Sequence, residues 1–198
     1  ESNRHEIDSN LELVRLVSDQ SWDGRIELPQ DAAATEEIGR RLAVQGLVGR
    51  SVVAVHAGTS AAAKRWPEEN FTALCREIKN LPGVSPILIG GPEEKDFSQR
   101  IAERAGVAAD WTGKLSLRQL TAFLTHPQIK AIVSSDSGPV HVAWMGGTPA
   151  VAMYAKNTVS SNPVRWGPKD GRSQVIYKNM NEITTQEVLE ALKKVLGL

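Results

Sequence analysis

The sequence lacks features that define several common protein classes: its 198 residues include one cysteine, and basic and acidic side chains are equal in number. A single cysteine, Cys75, cannot form an internal disulfide, and it cannot hold zinc without several other ligands. Cys75 follows Phe71 and Leu74 on the apolar stripe of a predicted helix, which indicates a buried structural thiol. A reduced, cytoplasmic setting is consistent with this cysteine content.

The charge balance and the apolar runs exclude two further classes. Lys plus Arg and Asp plus Glu each total 23, so the chain lacks the positive surplus with which nucleic-acid binders neutralise phosphates. We therefore expect no nucleic-acid partner, although a few local cations could still hold a small anion. No run reaches the roughly 18 apolar residues of a membrane span. The polar residues 1–6 do not resemble a signal peptide, and without an initiator Met we expect a piece of a longer protein.

Apolar runs alternate with helical patterns from residue 51 onward. The runs lie at residues 52–55, 86–89, 129–133, 150–153 and, more weakly, 175–177. This alternation predicts an α/β fold, a Rossmann-like doubly wound parallel sheet with helices on both faces. We assign residues 47–198 to this domain and residues 1–46 to a linker with lead-in helices.

Capping residues predict where the helices begin. Asp31 is expected to cap a helix that runs to about Gln45, while Ser116 and Thr184 open two others. Pro67 suits the first position of a further helix. The remaining predictions are helices at residues 93–105, at 138–145 and near 11–17, and a turn at 22–24.

The loop after the first strand has the composition of a phosphate site. In doubly wound sheets, ligands bind outside the carboxyl ends of the strands. Gly58 allows close backbone approach, Thr59 and Ser60 offer hydroxyls, and Lys64 and Arg65 lie beside a helix N-terminus, where anions are favoured. The Gly-x4-Gly-Lys-Ser/Thr pattern of a P-loop is missing. A solvated loop with two surface cations is an equally good interpretation of these residues.

Two acidic residues, Glu93 and Glu94, follow the second strand. A carboxylate at this place can accept hydrogen bonds from a ribose diol. Alternatively, both are first-turn acids that the helix dipole favours.

The most informative stretch follows the strand at 129–133 and reads Ser134-Ser135-Asp136-Ser137-Gly138-Pro139-Val140-His141. It is a turn of small residues that leads into a helix. The free N–H groups of Ser137 and Gly138, and also of Val140, would point at an anion. Asp136 could bind sugar hydroxyls or cap the helix, and His141 could donate to a phosphate.

Hydrolase and metal chemistry are poorly supported by the spacing. Asp136, Ser137 and His141 lie too close in sequence for a Ser-His-Asp triad, whose members come from separate segments, and no Gly-x-Ser-x-Gly elbow is present. The four histidines show no paired spacing typical of metal ligands, and we expect no metal site.

Taken together, four motifs resemble the ADP-heptose:lipopolysaccharide heptosyltransferases, glycosyltransferase family 9. The resemblance covers roughly residues 47–198, which correspond to the carboxyl-terminal half of that family. The motifs are His56-Ala57-Gly58-Thr59 with Lys64-Arg65-Trp66-Pro67, then Gly90-Gly91-Pro92-Glu93-Glu94, then Ser135 to His141, and finally Trp166-Gly167-Pro168.

The resemblance implies the donor-binding half of a two-domain GT-B enzyme. Members transfer heptose from ADP-heptose to the lipopolysaccharide core with inversion and without a metal, and the ADP-sugar is a substrate, so no cofactor is expected. The acceptor-binding half, with the catalytic base, would lie outside this chain, which we expect to bind nucleotide without efficient transfer. The lipid-linked acceptor would place the full enzyme in the cytoplasm, at the inner face of the cytoplasmic membrane.

The same resemblance assigns roles to individual residues. Lys64 would contact the diphosphate or the heptose, Asp136 the heptose hydroxyls, and Glu94, or less favourably Glu93, the ribose. Residues 112–115 would lie near the adenine. The implied binding residues are Thr59, Ser60, Lys64, Glu94, Leu115 as the adenine wall, Asp136, Ser137, Gly138, Pro139 and His141.

Three other functions remain open at this point. The chain could be a nucleotide-sugar-binding module without catalysis. It could belong to another GT-B-like enzyme, such as a UDP-sugar epimerase. It could also be a purely structural α/β domain, which would bind no nucleotide.

Overall fold

A computed structural model describes residues 4–19, 26–59 and 61–198. Its centre is a sheet of five parallel strands in the order β2-β1-β3-β4-β5, as the alternating sequence pattern predicts. The strands are β1 (Ser51–His56), β2 (Val84–Ile89), β3 (Ile129–Ser135), β4 (Ala150–Ala155) and β5 (Gln174–Lys178). The predicted turn at 22–24 lies outside the described residues.

Eight α-helices accompany the sheet in the described part of the chain, and none of them is long and apolar enough to cross a bilayer. The helices are α1 (Glu6–Arg15), α2 (Ala32–Val44), α3 (Glu68–Asn80), α4 (Lys95–Ala105), α5 (Leu117–Leu124), α6 (Gly138–Met145), α7 (Pro163–Trp166) and α8 (Thr185–Leu196).

The side chains of β1 show why the helices cover both faces of the sheet. Successive strand residues point to opposite faces. Val53 and Val55 therefore join one core cluster, which includes residues of α3, α4 and α8, while Val52 and Ala54 join a second cluster with residues of α2, α5 and α6. A continuous apolar strand is thus buried on both sides, which defines the doubly wound architecture. Cys75 is fully buried on α3, as expected of a structural thiol.

Helix starts mostly follow the predicted caps. The Asp31 carboxylate accepts from the N–H of Ala34 at 3.0 Å, and Ser116 forms a capping box with Gln119. Pro67 is an exception, because its ψ of 142° is extended and α3 begins at the next residue. The predicted helix at 93–105 instead starts as a short 3-10 turn, Pro92–Glu94, that leads into α4.

The lead-in region packs unevenly on the domain. Ala34, Ile38 and Leu42 of α2 are buried in the second core cluster, whereas α1 has no buried residue. Helix α1 packs on the second cluster only through the partly buried Ile7, and polar contacts add to this: Glu6 accepts from Arg165 at 2.6 Å, and Asp8 accepts from Lys169 at 2.9 Å. The boundary at residue 46 remains a prediction.

An extra segment, residues 109–113, runs along the outer edge of β2. Trp111 donates its N–H to the carbonyl of Leu88 at 2.8 Å, and Gly113 donates to that of Gly90 at 2.9 Å. These bonds carry the chain along β2 to Leu115, at the carboxyl end of the sheet.

Candidate functional site

A cleft of about 390 Å³ opens at the carboxyl ends of β1, β2 and β3. The connection after β1 leads to α3 on one face, and the connection after β3 leads to α6 on the other. The two loops therefore diverge, and a crevice between such loops is where doubly wound sheets bind ligands. The cleft is lined by His56, Thr59, Gly90, Gly91, Glu93, Glu94, Leu115, Leu117, Leu120, Asp136, Ser137, Gly138 and Pro139.

Seven of the ten predicted site residues are in this lining: Thr59, Glu94, Leu115, Asp136, Ser137, Gly138 and Pro139. Lys64 joins the same site through Asp136, and His141 lies one turn into α6 without lining the cleft. Ser60 lies outside the described residues.

The Glu94 carboxylate lies over the backbone of two glycines. A Cβ atom on Gly58 or on Gly90 would overlap this carboxylate, so both positions need glycine for space. Glu94 Oε2 also accepts the backbone N–H of Gly91 at 2.8 Å. The sequence predicted that Gly58 lets a ligand approach the backbone closely. In the structure, the Glu94 carboxylate occupies the space beside Gly58.

His56 is the main polar residue that sequence reasoning missed. It ends β1 and is only 5% exposed. Its Nε2 lies 3.2 Å from Glu94 Oε2, and its Nδ1 lies 2.9 Å from Ser134 Oγ and 3.2 Å from Ser137 Oγ. The available signal was its place at the end of a buried strand, but from the sequence His56 was placed only in a family motif and among the histidines without metal-ligand spacing, and it was given no role.

The charge of Glu94 reflects opposing effects. Burial favours the neutral acid, but the hydrogen bond and charge of His56, the N–H of Gly91 and the charge of Arg65 outweigh it. The pKa of Glu94 is therefore lower than its ordinary value, and at neutral pH the cleft holds a carboxylate that can accept hydrogen bonds from hydroxyls.

Lys64 and Asp136 form an ion pair across the cleft. Lys64 Nζ lies 2.8 Å from Asp136 Oδ2, and the two side chains are only 14% and 8% exposed. Asp136 does not cap α6, since Ser137 is the residue at the N-cap position. Of the two interpretations of Asp136, the structure does not support capping; its carboxylate pairs with Lys64 and lines the cleft.

The N-terminus of α6 supplies backbone donors, with one correction. Val140 donates its N–H to the carbonyl of Ser137 at 3.2 Å, so the prediction that this N–H is free was wrong. This hydrogen bond spans three residues, as in a 3-10 turn, and not the four residues of an α-helix. Ser137 and Gly138 have no backbone acceptor for their N–H groups within the described ranges, and both residues line the cleft.

His141 is fixed by its neighbours. The indole N–H of Trp144 can only donate, and it lies 3.4 Å from His141 Nδ1. The neutral ring therefore carries its hydrogen on Nε2. Burial is the main cause of a lowered pKa for His141, although the charge of Asp136 opposes it. The ring also makes an edge contact with Trp166, at 6.4 Å between centroids.

The apolar wall of the cleft is larger than predicted. Leu117 and Leu120 on α5 join Leu115, and Leu117 is 73% exposed. The capping box at Ser116 places these residues at the start of a helix, where Leu117 and Leu120 lie one turn apart on the same face. That spacing was visible in the sequence.

A larger cavity, about 810 Å³, lies at the opposite, amino-terminal edge of the sheet. Two of its cations donate to backbone carbonyls that follow helix ends: Lys130 donates to Pro127 at 2.7 Å, and Arg172 donates to Gly147. These contacts stabilise helix C-termini, where cations are favoured. The smaller cleft, which holds most of the predicted site residues, is therefore the candidate site. In neither place do three His, Cys, Asp or Glu side chains of the described residues gather in a way that could hold a metal ion.

The fold and the cleft define a Rossmann-like α/β domain of the kind found in glycosyltransferases. Over its full length the chain superposes on 61% of the glycosyltransferase family 9 structure from Veillonella parvula, with a TM-score of 0.87 and 23% identity. It also covers 58% of E. coli heptosyltransferase WaaC with ADP, with a TM-score of 0.73 and 21% identity over 98% of this chain.

The sequence places the chain in a particular family. Residues 2–196 match the model of glycosyltransferase family 9 (heptosyltransferase), so the chain belongs to this family. It is 28% identical over 123 residues to the lipopolysaccharide core heptosyltransferase OpsX of Haemophilus influenzae, a match that covers 60% of this chain and 33% of OpsX. The chain thus spans a third of this relative and about three fifths of the two solved structures.

Proposed function

We propose that this chain is the donor-binding half of an inverting, metal-independent GT-B heptosyltransferase of lipopolysaccharide core biosynthesis, and that it binds ADP-heptose. The observation that carries the proposal is the convergence of three elements in one cleft: the Glu94 carboxylate, the Lys64–Asp136 pair and the N-terminus of α6. These suit the ribose, the sugar and the diphosphate of a nucleotide sugar, respectively.

Each part of the donor has a matching chemical environment. The lowered pKa of Glu94 supplies a charged acceptor for ribose hydroxyls. Leu115, Leu117 and Leu120 offer an apolar wall for the base. The N–H groups of Ser137 and Gly138 face the place where a diphosphate would lie, because a helix N-terminus attracts anions.

The same groups suit the chemical step. When the sugar is transferred, negative charge builds on the terminal phosphate of the departing ADP. The N–H groups at the start of α6 and the Lys64 ammonium would stabilise this charge. We propose the Nε2–H of His141, one turn further into α6, as an additional donor. The attacking hydroxyl needs a base on the opposite face of the sugar, which we assign to a part of the enzyme outside this chain.

The relatives support this assignment. OpsX bears the name of a lipopolysaccharide core heptosyltransferase, and the WaaC structure holds ADP. We accordingly propose a lipopolysaccharide core acceptor, reached through the other half of the enzyme, at the cytoplasmic face of the inner membrane.

Calorimetric titration with ADP, UDP and GDP tests the proposal. We expect ADP to bind with a Kd of about 0.1–1 mM, more tightly than UDP or GDP. Lys64→Ala should weaken ADP binding, whereas Lys130→Ala, which removes a lysine at the opposite edge of the sheet, should not. A preference for UDP would favour an epimerase-like enzyme. No binding to any nucleotide would favour a structural domain if the full-length protein also fails to bind, and a site completed by the other half if the full-length protein binds.

A further inference from the structure

We propose that His56 is a positioning residue for ribose recognition: it holds the Glu94 carboxylate in the orientation that accepts the ribose hydroxyls. The inference rests on the proposed function, because it takes Glu94 as the ribose acceptor. His56 itself is too deeply buried to serve as a general surface contact, since 5% of the residue is exposed.

The geometry around Glu94 assigns different tasks to its two oxygens. Oε2 accepts from His56 Nε2 at 3.2 Å and from the N–H of Gly91 at 2.8 Å. Both donors hold the same oxygen, so the rotation of the carboxylate is fixed and Oε1 has no hydrogen-bond donor among the described residues. The glycines at 58 and 90 provide the space for this orientation.

The hydrogen positions follow from the partners. A carboxylate can only accept, so His56 Nε2 must carry a hydrogen. Nδ1 lies 2.9 Å from Ser134 Oγ, and Ser134 Oγ lies 2.8 Å from the carbonyl of Ser135. The Ser134 hydroxyl can donate to only one of these. If it donates to the carbonyl, the Ser137 hydroxyl, 3.2 Å from Nδ1, can donate to the ring in its place. Nε2 donates to Glu94 in either arrangement.

The network also joins two parts of the cleft. Ser137 Oγ lies 2.9 Å from Ser134 Oγ and 3.2 Å from His56 Nδ1. Ser137 precedes the N-terminus of α6, where we place the diphosphate. His56 therefore sets the position of the ribose acceptor relative to the phosphate-binding turn. It does so by contacting Glu94, 38 positions away in the sequence, and Ser137, 81 positions away.

A comparison of ADP with 2′-deoxy-ADP tests this role. The wild-type chain should prefer ADP, and Glu94→Gln should reduce that preference. In His56→Asn, an amide can still reach Ser134 but not Glu94, and we expect ADP affinity to fall about 3- to 10-fold, with a smaller change for 2′-deoxy-ADP. His56→Gln can place an amide N–H near the position of Nε2 and should restore most of the preference.

Two further variants complete the design. His126→Gln removes a histidine at the opposite edge of the sheet and should leave the ADP preference unchanged. Ser134→Ala keeps His56 but removes the nearer of its two Nδ1 partners, and it should lower the preference in the same direction. This variant decides the question if thermal unfolding shows that His56→Asn does not fold.

The outcomes separate the two proposals. Loss of the preference in His56→Asn with recovery in His56→Gln supports the positioning role. A folded His56→Asn chain that keeps the full preference, while Glu94→Gln loses it, overturns the role of His56 and leaves the proposed function intact. A wild-type chain that does not bind ADP, or does not distinguish it from 2′-deoxy-ADP, refutes the site assignment itself and the role of His56 with it.

Discussion

Replacing Lys64 by methionine should destabilise the chain far more than a surface lysine change would. The ammonium lies 2.8 Å from Asp136, and the two side chains are 14% and 8% exposed. Methionine keeps much of the length and apolar volume of the lysine side chain but removes its charge. The Asp136 carboxylate is then left largely buried without its cation.

The size of the expected loss of stability follows from two opposing energies, the attraction between the charges and the cost of removing them from water. At 2.8 Å and an effective dielectric constant of about 20, the attraction between the charges is about 6 kcal/mol. Removing both ions from water costs several kcal/mol each, so the intact pair contributes little net stability. Breaking it on one side leaves the desolvation cost of the other ion, about 3–5 kcal/mol. A domain of this kind has only about 5–15 kcal/mol of stability in total.

Urea unfolding followed by tryptophan fluorescence measures the effect. We expect Lys64→Met to lower the free energy of unfolding by about 3 kcal/mol or more. The double variant Lys64→Met/Asp136→Asn should recover most of this loss, because no uncompensated charge remains. Lys130→Met, at the far edge of the sheet, is the matched control and should change the free energy by less than about 1 kcal/mol.

Additive losses of stability in the double variant would contradict the ion pair. If the losses of Lys64→Met and Asp136→Asn simply add in the double variant, to within about 0.5 kcal/mol, the two charges do not interact. A loss below about 1 kcal/mol for Lys64→Met would show that solvent screens Asp136 as it screens a surface group.

Three further predictions concern stability and reactivity. Gly58→Ala should lower the free energy of unfolding by about 1–3 kcal/mol, since its Cβ would displace the Glu94 carboxylate. The control Gly39→Ala, inside α2 with room for a methyl, should raise that free energy by about 0.5–1 kcal/mol. Equal effects of the two variants in urea unfolding would contradict the prediction. Burial raises the pKa of Cys75 to about 12, so iodoacetamide should modify it only in the unfolded chain, as mass spectrometry would show; rapid labelling of the folded chain would contradict the burial. Because the pKa of His141 is below its ordinary value of 6.5, the unfolded chain binds the proton first, and stability should fall as pH drops below about 6.5. His141→Gln should make the free energy of unfolding, measured by urea titration at several pH values, depend less on pH. An unchanged pH dependence would contradict the prediction.

The fold was predictable because the strands of a doubly wound sheet carry their signal locally. Short continuous apolar runs rich in valine, such as residues 52–55, indicate strands buried on both faces, and caps such as Ser116 mark helix starts within a few residues. Where prediction failed, the local signal was ambiguous: Pro67 has a φ that suits both the first helical turn and the position just before it.

The site was predictable in its parts but not in its connections. Residue types at strand ends identified Glu94 and Asp136, because parallel strands bring their carboxyl ends to one edge. The partners of these residues lie far away in sequence: Lys64 is 72 positions from Asp136, and His56 is 38 positions from Glu94. Such pairings depend on the register of strands and the path of loops, which composition and spacing do not encode.

The segment at residues 109–113 has a consequence for solubility. An outer strand with free N–H and C=O groups is a template for strands of other molecules. At the carboxyl end of β2, this segment occupies such groups on Leu88 and Gly90. At β5, the other end of the sheet, the described residues show no such covering strand, and Val175 and Tyr177 are about two-fifths exposed. Sheet-to-sheet association between copies is therefore expected at β5 rather than at the paired end of β2, and a charge introduced at Val175 should weaken it.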